Sequence, residues 1–567
     1  MKKFSLFLLI AVLAAVSAVA LAACGGGGSS SSSVSSSTSE SEGESESTPP
    51  AEGEGSEGGT LKGAYTSFPD YMDPQISYTA EGWTAMRPVY VPLLTYKAAA
   101  EAEGSEIIPG LAKELPKVTN GGKTYTLFMR EGLKYSNGEP IKAGDFKYAV
   151  ERCFLTNSGG SPFYTDIVGA EKFSETKKGG IPGIKVNEKT GEIVINLEKP
   201  RGTFDNELAL MFVAPVPQST PNEDQSASPP PASGPYMITQ SQPGRSWTYE
   251  RNPYWAKDNG KEIEIPAGHV DKIEMEVQRN QSTQVNDIES GKLDWIFDPP
   301  PTDRYQEVKE KFEGSQFKPE PTISTYYFWM NQSTEPFNNL KVREAVNYAV
   351  DPAALERIYT GQIVGTQQIL PPGMPGYKKF ELFPHDVKKA KELVAESGVK
   401  DKEVTVWTDS ESPNNDAGTY YQGVLEEIGL KAELKILNPD NYFAVIGNTS
   451  TPNLDTGFTD WFEDYPHPND FLFLLNGENI QSTNNENFSQ TDVKSLNERI
   501  DKLATEQLGP KQEAEYAELD EEFMKEAAWA PYGTRTLSLF VSENVNLETA
   551  IWNPTFETEL TSLELSE

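Results

Sequence analysis

The chain has 567 residues, of which 37% are hydrophobic and 10% aromatic, and this is enough apolar side chain to build several folded cores. It carries 85 Asp and Glu against 49 Lys and Arg, a formal net charge of -36 at pH 7. Such an acidic surface keeps a protein soluble and excludes nucleic acid as a partner, because phosphate backbones are bound through Lys and Arg.

The N-terminus carries a targeting signal. Lys2 and Lys3 precede an apolar run that ends in Leu-Ala-Ala-Cys at residues 21–24. This ending resembles the bacterial lipobox, in which cleavage precedes a cysteine whose thiol is acylated. We therefore expect a lipoprotein signal peptide over 1–23 and a lipid on Cys24. The alternatives are an ordinary signal peptide or a single membrane anchor.

Residues 25–59 contain mainly Gly, Ser, Glu, Thr and Pro. A segment with so little apolar surface cannot offset the entropy lost on folding, so 24–59 is predicted to be a disordered tether with a reach of roughly 35 Å. Only Cys153 follows Cys24 in the chain. A disulfide within the mature body is therefore excluded, and Cys153 is expected to be a buried small hydrophobe.

The first half of the body alternates strands and helices. Period-two alternation over 123–136 predicts a hairpin whose turn is Asn-Gly-Glu-Pro at 137–140. Asp145 is placed to cap a helix that buries one apolar face, made of Phe146, Ala149, Val150 and Cys153. Farther along, 191–200 reads as a strand ended by proline, and 234–255 as two strands split by Gln-Pro-Gly-Arg.

The second half shows the same alternation. Residues 337–352 have an apolar stripe at helical spacing, with Arg343 read as a structural cation rather than a ligand contact, and Asp351-Pro352 starts a second helix. Residues 386–440 follow the order helix, strand, helix, strand, which predicts parallel pairing. A helix over about 511–528 then leads into an apolar strand. The predicted fold class is mixed α/β.

The chain lacks the common catalytic motifs. No Gly-x-Ser-x-Gly elbow, phosphate-binding P-loop, dinucleotide fingerprint or zinc-binding HExxH occurs. His269, His385 and His467 are far apart in sequence, which argues against a catalytic metal or a histidine triad. We therefore expect neither catalytic residues nor a metal or cofactor, although with 85 acidic residues a glycosidase carboxylate pair stays open on residue types alone.

Six segments, in order, resemble the extracellular solute-binding proteins of ABC importers, family 5, the group that includes oligopeptide- and dipeptide-binding proteins. They are YMDPQISYTAEGW from Tyr71, PGLAKELPKVTNGGKTYTLFMREGLKYSNGEP from Pro109, GPYMI from Gly234, VNDIESGKLDW from Val285, YYFWMNQSTEPFNNLKVREAVNYAVD from Tyr326 and WFEDYPHP from Trp461. The resemblance covers nearly all of residues 60–540. It implies a two-lobed periplasmic-binding-protein-like fold with mixed sheets that closes on its ligand around a hinge.

The resemblance also implies the domain organisation. Lobe one would comprise 60–325, with an inserted subdomain at about 95–200, lobe two would comprise 326–529, and 530–567 would return to lobe one. Hinge strands would contain Tyr326-Tyr327 and Ala530-Pro531-Tyr532.

The same resemblance assigns the site. Asp464 would hold the α-ammonium of a peptide, although it could instead cap the turn that follows it. Strand alternation places Asp464 on one face with Asp460 and Phe462, and Trp461 and Glu463 on the other. The peptide backbone would pair with two segments, Tyr78, Thr79 and Ala80 on one side and Asp460, Trp461 and Phe462 on the other. Trp461, Tyr326 and Tyr327 would line side-chain pockets. We match no cation to a peptide C-terminus.

The expected function is a substrate-binding lipoprotein that delivers peptides to an ABC permease, as a monomer at the outer face of the cell membrane, or in the periplasm if the host has an outer membrane. Relatives with the same fold bind oligosaccharides, nickel chelates or haem, which is the alternative. A peptide-pheromone receptor would share the site, and a surface glycosidase is the alternative of a different class.

Overall fold

The computed structural model describes residues 58–255, 259–260 and 263–566. The predicted signal peptide, the predicted acylation site Cys24 and all but the end of the predicted tether lie outside these residues. In the part of the chain that the structure describes, no helix is both long and apolar enough to cross a bilayer.

Short strands and helices alternate along the body, as the sequence predicts. The strands are β1 (Thr60–Tyr65), β2 (Leu94–Tyr96), β3 (Ile107–Pro109), β4 (Lys117–Thr119), β5 (Thr124–Phe128), β6 (Ile184–Asn187), β7 (Glu192–Asn196), β8 (Tyr236–Gln242), β9 (Ser246–Arg251), β10 (Lys272–Val277), β11 (Trp295–Ile296), β12 (Phe317–Pro321), β13 (Ser324–Met330), β14 (Ile363–Val364), β15 (Glu403–Asp409), β16 (Lys431–Leu437), β17 (Thr456–Phe462), β18 (Trp529–Val541), β19 (Trp552–Asn553) and β20 (Glu557–Thr558).

The helices lie between these strands. They are α1 (Ala80–Met86), α2 (Ala143–Leu155), α3 (Ala170–Thr176), α4 (Phe204–Glu207), α5 (Gln281–Glu289), α6 (Thr302–Phe312), α7 (Leu340–Ala349), α8 (Pro352–Ile358), α9 (Val387–Ser397), α10 (Asn414–Glu427), α11 (Pro439–Ile446), α12 (Asn469–Leu472), α13 (Lys494–Leu503) and α14 (Pro510–Lys525).

Most predicted elements are confirmed. The apolar face of α2 is buried, and the side chain of Asp145 accepts a hydrogen bond from the Lys142 amide at the helix start. β15 and β16 pair in parallel, as their βα pattern predicts. Arg343 is 5% exposed and donates to the carbonyls of Phe337 and Glu526, which confirms its structural role.

One large mixed sheet extends through the body. Its strand order is β16-β15-β17-β13-β18-β11-β1-β10-β9-β8, with β12 and β14 also paired to β18. The 13-residue strand β18 is antiparallel to both β13 and β11. The mixed α/β class is therefore confirmed.

The buried side chains form two large hydrophobic cores. The first is built mainly from residues 61–295 and 539–563, and the second from 323–532. Trp529 and Tyr532 of β18 belong to the second core, whereas Leu539 and Val541 belong to the first. β18 therefore ties the two cores together. The lobe boundaries drawn from the sequence stay a prediction.

The residues predicted for the hinge lie at one end of this connection. Tyr326, Tyr327 and Tyr532 are all buried in the second core, and a β-bulge falls between Tyr326 and Tyr327 where β13 pairs with β18. The chain passes from one core to the other through the adjoining segments 321–323 and 533–538. These two segments are the places where a rotation between cores can be absorbed by few residues.

A second sheet lies within the segment predicted as an inserted subdomain. Its order is β4-β5-β7-β6, all antiparallel, and α2 packs beside it. Tyr125, Leu127, Ile193 and Ile195 from this sheet are fully buried in the first core. The alternation seen in the sequence thus marks the buried face of a sheet.

The Asp73-Pro74 segment is held by a buried ion pair. Both terminal nitrogens of Arg152 donate to the Asp73 carboxylate at 2.6 Å, and neither side chain is exposed. Arg152 also donates to Gln75 Oε1, at 2.9 Å. A two-pronged pairing of this kind fixes the orientation of both groups. It therefore positions the loop that leads to Tyr78 and α1.

Replacing Asp73 with alanine should strongly destabilise the protein, because Arg152 would remain buried without a counter-charge. We expect a loss of about 3 to 5 kcal/mol in the free energy of unfolding, measured by urea denaturation. The control is Lys147→Ala on the same helix, since Lys147 lies 3.8 Å from Glu151 in a partly exposed pair and should cost less than about 1 kcal/mol. Equal effects of the two substitutions would contradict this role for Asp73.

Candidate ligand-binding cleft

A cavity of about 720 Å³ lies between segments of the two cores. Residues from 78 to 203 line one side, and residues from 461 to 505 line the other. The predicted site residues Tyr78, Trp461 and Asp464 all contribute to its wall. The structure therefore brings these three together, although almost 400 residues separate the first from the last.

Tyr78 and Asp464 bridge the cavity directly. The Tyr78 hydroxyl donates a hydrogen bond of 2.8 Å to Asp464 Oδ1. The Tyr78 ring stacks on Trp83 at 5.8 Å between centroids and meets the edge of Phe212 at 5.2 Å. An aromatic wall on one side thus presents a hydroxyl to a carboxylate on the other.

The carboxyl group of Asp464 is partly desolvated. Burial raises its pKa to about 6, the hydrogen bond from Tyr78 opposes that rise, and the charge of Glu486 adds to it. The same carboxylate raises the pKa of Tyr78 well above its ordinary value, after the larger effect of burial. Asp464 is thus a carboxylate whose charged form lacks a full counter-charge, and a cation from a ligand would stabilise it.

Asp470 shapes the loop around Asp464. Its Oδ2 accepts hydrogen bonds from the Asp464 amide at 2.9 Å and from Trp461 Nε1 at 3.3 Å, and the residue is 1% exposed. Burial, followed by the nearby Asp464 charge, raises its pKa well above the ordinary value. His467 on this loop is also buried, which lowers its pKa to about 3. The turn is therefore organised by Asp470, whereas the Asp464 side chain points to Tyr78. The capping alternative for Asp464 is not what the structure shows.

Strand alternation gives the wrong neighbours for Asp464. β17 ends at Phe462, and the chain then turns, so Asp464 lines the cavity with Trp461. Phe462 instead packs against Tyr326, 6.1 Å between ring centroids. Asp460 also interacts with Tyr326, and burial raises the Asp460 pKa to about 6. The prediction failed because period-two geometry holds only while the strand continues.

The two tyrosines predicted to line side-chain pockets have different neighbours. Tyr326 is 7% exposed and lies beside Asp460 and Phe462. Tyr327 is 1% exposed and stacks on Trp529 with 3.6 Å between ring centroids. Both tyrosines belong to the second core, and neither is among the residues that line the 720 Å³ cavity. Their role in side-chain pockets stays a prediction.

Thr79 and Ala80 begin α1. The Thr79 side chain accepts from the Gly82 amide, and its carbonyl accepts from Trp83, so Thr79 is a helix cap. The Tyr78 amide donates to Asp70. Among the described residues, the Tyr78 carbonyl and the Thr79 and Ala80 amides have no hydrogen-bond partner. Part of the segment therefore remains able to bond a ligand backbone, although not as a strand.

The opposite wall offers a strand edge. β17 pairs with β13 over its whole length, but its pairing with β15 involves only Thr456 and Gly457. Within the described residues, the other edge of Asp460, Trp461 and Phe462 therefore has no strand partner. An extended chain could add to the sheet there through main-chain hydrogen bonds.

Three cations that the sequence did not predict lie in or near the cleft. Lys199 and Arg201 line the cavity, and Arg201 is engaged by Glu207 and Asp166. Arg535 on β18 donates to Gln362 and acts electrostatically on Asp460. No motif marks these residues, because they come from segments that meet only in the folded chain.

Negative charge nevertheless dominates the cavity wall. Its carboxylates outnumber the two cations, and they are Asp166, Asp464, Asp470, Glu478, Glu486 and Asp501. No group of His, Cys, Asp and Glu within the described residues is arranged to hold a metal ion. The wall is therefore suited to an organic cation beside aromatic rings.

Similarity to known proteins agrees with this geometry. Residues 106–483, more than half of the chain, match the family model described as bacterial extracellular solute-binding proteins, family 5 Middle. The oligopeptide-binding protein OppA of Bacillus subtilis (strain 168) is 26% identical over 439 residues, which are 72% of this chain and 76% of that protein. The dipeptide-binding protein of Escherichia coli (strain K12) is 25% identical over 59% of this chain and 62% of its own length.

A solved structure shares the fold. The clavulanic acid biosynthesis oligopeptide binding protein 2 has a TM-score of 0.82 and 24% identity, covering 90% of this chain and 96% of its own. The structural neighbours are two-lobed periplasmic solute-binding proteins, which confirms the predicted fold class. The chain belongs to the bacterial extracellular solute-binding proteins of family 5.

Proposed function

We propose that this protein captures peptides in the cleft between its two cores and delivers them to an ABC permease in the membrane. The observation that carries the proposal is the desolvated Asp464 carboxylate, which lies close to the unpaired edge of β17. A carboxylate there can pair with a peptide ammonium while the strand edge bonds the peptide backbone. The names of the relatives, oligopeptide- and dipeptide-binding proteins, support the same class of ligand.

The peptide would lie between two walls. Its ammonium would pair with Asp464 beside Trp461, and its backbone would bond Asp460–Phe462 on one side and the free groups of Tyr78, Thr79 and Ala80 on the other. Tyr326 would meet a side chain. Tyr78 already donates to Asp464 Oδ1, so the ammonium would share the carboxylate with the hydroxyl. Main-chain bonding of this kind gives affinity that depends little on peptide sequence.

Cellular placement follows from the N-terminus. We propose that Cys24 carries a lipid and that residues 24–59 tether a monomeric binding body to the outer face of the membrane. The Leu-Ala-Ala-Cys ending of the apolar run supports this, and the acidic composition supports the absence of nucleic-acid partners.

Removing the Asp464 charge should weaken peptide binding. We expect Asp464→Asn to lower the affinity by about two to three decades, since a close ion pair that loses one partner leaves the other poorly solvated. N-acetylation of the peptide should weaken binding to the wild type similarly but add little in the variant, because both changes remove one contact. Titration calorimetry measures all four combinations.

The matched control is Asp303→Asn, an exposed acid on α6. It should leave affinity unchanged. Glu463, adjacent to Asp464, is unsuitable as a control because it interacts electrostatically with Asp464 and Asp470. Equal binding of free and acetylated peptides by the wild type would contradict the ammonium site.

Binding should weaken in acid. The Asp464 pKa is raised to about 6 in the ligand-free protein, and an ammonium partner would lower it, so binding below pH 6 must release a proton. Affinity should therefore stay level near pH 7 and fall below pH 6 by up to about tenfold per pH unit. Calorimetry between pH 4.5 and 7.5 tests this. If an acetylated peptide shows the same slope, protonation of Asp464 is not its cause.

The lipid anchor predicts a change in fractionation. Cys24→Ser removes the thiol that would be acylated, so the protein should leave the membrane fraction and lose its labelling by radioactive palmitate. Retention in the membrane fraction at the wild-type level would assign the anchor to another feature of the chain.

A further inference from the structure

A second group of acids lies near the carboxyl ends of two adjacent parallel strands, β1 and β11. β1 and β11 are adjacent, with Ala64 opposite Ile296, so Tyr65 lies beside Phe297 and their rings stack at 4.6 Å. The next residue on each strand continues the contact, because Asp298 accepts from both the amide and the hydroxyl of Thr66, at 2.7 and 2.8 Å.

Two glutamates from other segments join Asp298. Glu81 lies in the first turn of α1, and one turn later Thr84 donates a 2.9 Å hydrogen bond to the carbonyl of Phe556, the residue before Glu557. This contact brings Glu81 and Glu557 to the same place. Glu463, adjacent to Asp464 in sequence, also interacts electrostatically with Glu557. Because Glu81 directly follows the Tyr78–Ala80 segment, the acid group lies close to the part of the cleft wall that Tyr78 contributes.

The group holds buried polar atoms that lack partners. Glu557 is 8% exposed, and within the described chain its carboxylate has no hydrogen-bond or ion-pair partner. Burial, then the charges of Glu81 and Asp298, raise its pKa to about 8. The Tyr65 hydroxyl is fully buried and also has no hydrogen-bond partner in that part of the chain. Its pKa is raised well above the ordinary value, mainly by burial and further by nearby charges that include those of the same three acids. Native proteins rarely leave such groups unpaired without a functional reason.

The surroundings suit an organic cation. In the described residues no acid cluster is compact enough to hold a metal ion. Aromatic rings surround Tyr65, which contacts Trp247, Trp295 and Phe297 with centroids 5.1, 5.6 and 4.6 Å away. An alkyl stem can pack on such rings while its charged end reaches carboxylates.

We propose that Glu81, Asp298 and Glu557 form a second cation pocket, which accepts the lysine or arginine side chain of a bound peptide. This inference rests on the proposed peptide-binding function and specifies its substrate class as basic peptides. A peptide anchored at Asp464 and lying along Tyr78–Ala80 is led directly towards Glu81, the next residue of α1. The side chain that enters the pocket is therefore one of the first few after the N-terminus.

The test uses the purified full chain and tetra-alanine peptides with one lysine at position 2, 3 or 4. Each is compared by calorimetry with the peptide that has norleucine at the same position, because norleucine has the same alkyl stem without the ammonium. At one position lysine should bind at least about tenfold more tightly than norleucine. The ratio of the affinity for the lysine peptide to the affinity for the norleucine peptide should fall towards one in Glu557→Gln and in Glu81→Gln. It should persist in Glu548→Gln, an exposed acid outside the pocket.

Thermal unfolding adds a readout that needs no ligand. Glu557→Gln replaces a buried carboxyl group that has no partner with a neutral group of similar shape, so the variant should unfold at a temperature no lower than that of the wild type. A clearly lower temperature would show that the Glu557 carboxylate has a stabilising partner and would overturn the pocket. If this variant does not fold, Glu81→Gln, which is partly exposed at the helix start, carries the affinity test.

The outcomes separate this inference from the proposed function. If norleucine peptides bind but lysine raises the affinity at no position, the second pocket is wrong while peptide binding stands. The same conclusion holds if the higher affinity for lysine peptides persists in both variants. If none of the peptides binds, the proposed function fails and the pocket with it.

Discussion

The whole body depends on one continuous strand, β18, that belongs to both hydrophobic cores. Its first residues pair with β13 in the second core, and its last residues pair with β12 and β11 and place Leu539 and Val541 in the first core. Because each half of the strand is fixed by a different set of ladder hydrogen bonds, a rotation between the cores would be absorbed in the short stretch between them. The bulge at Tyr326 and Tyr327 lies beside that stretch and weakens the ladder locally. One strand thus sets both the connection and the axis about which a cleft can open.

Several buried carboxyl groups in and near the cleft have no full counter-charge within the described residues. Asp460 and Asp464 come from β17 and the turn after it, Glu557 comes from a distant segment, and burial raises the pKa of each. Burying a carboxylate without a counter-ion is unfavourable, so the folded chain holds these groups in place at the expense of its own stability. The cationic ligand that we propose would reverse that loss when it binds. The acidity that matters is therefore that of these few desolvated groups, since exposed surface charges are screened by salt.

In two of the motifs, one acidic residue stabilises the fold and a neighbouring residue faces the cleft. In the Asp-Pro segment, the Asp73 carboxylate forms a buried ion pair with Arg152. Tyr78, five residues later, donates a hydrogen bond across the cleft to Asp464. In the second motif, Asp470 orders the loop through the Asp464 amide, and the Asp464 side chain faces the cavity, where we propose that it meets the ligand. Asp464 is thus held through a buried neighbour, and Tyr78 extends from a loop that the buried Asp73–Arg152 pair anchors. Such support gives a binding group one orientation before the ligand arrives.

The sequence by itself determined the elements and the class of the fold, because helical and strand periodicities report burial on a local scale. The apolar face of α2, the parallel β15–β16 pair and the structural role of Arg343 were all predictable for that reason. Motif order predicted Tyr78, Trp461 and Asp464 as site residues, and the three line one cavity. Only the tertiary structure decided which acids share a wall, that Tyr327 is enclosed, and that Glu557 meets Glu81 and Asp298. These facts depend on where strands end and on contacts between segments hundreds of residues apart, and no local pattern in a single chain encodes such distances.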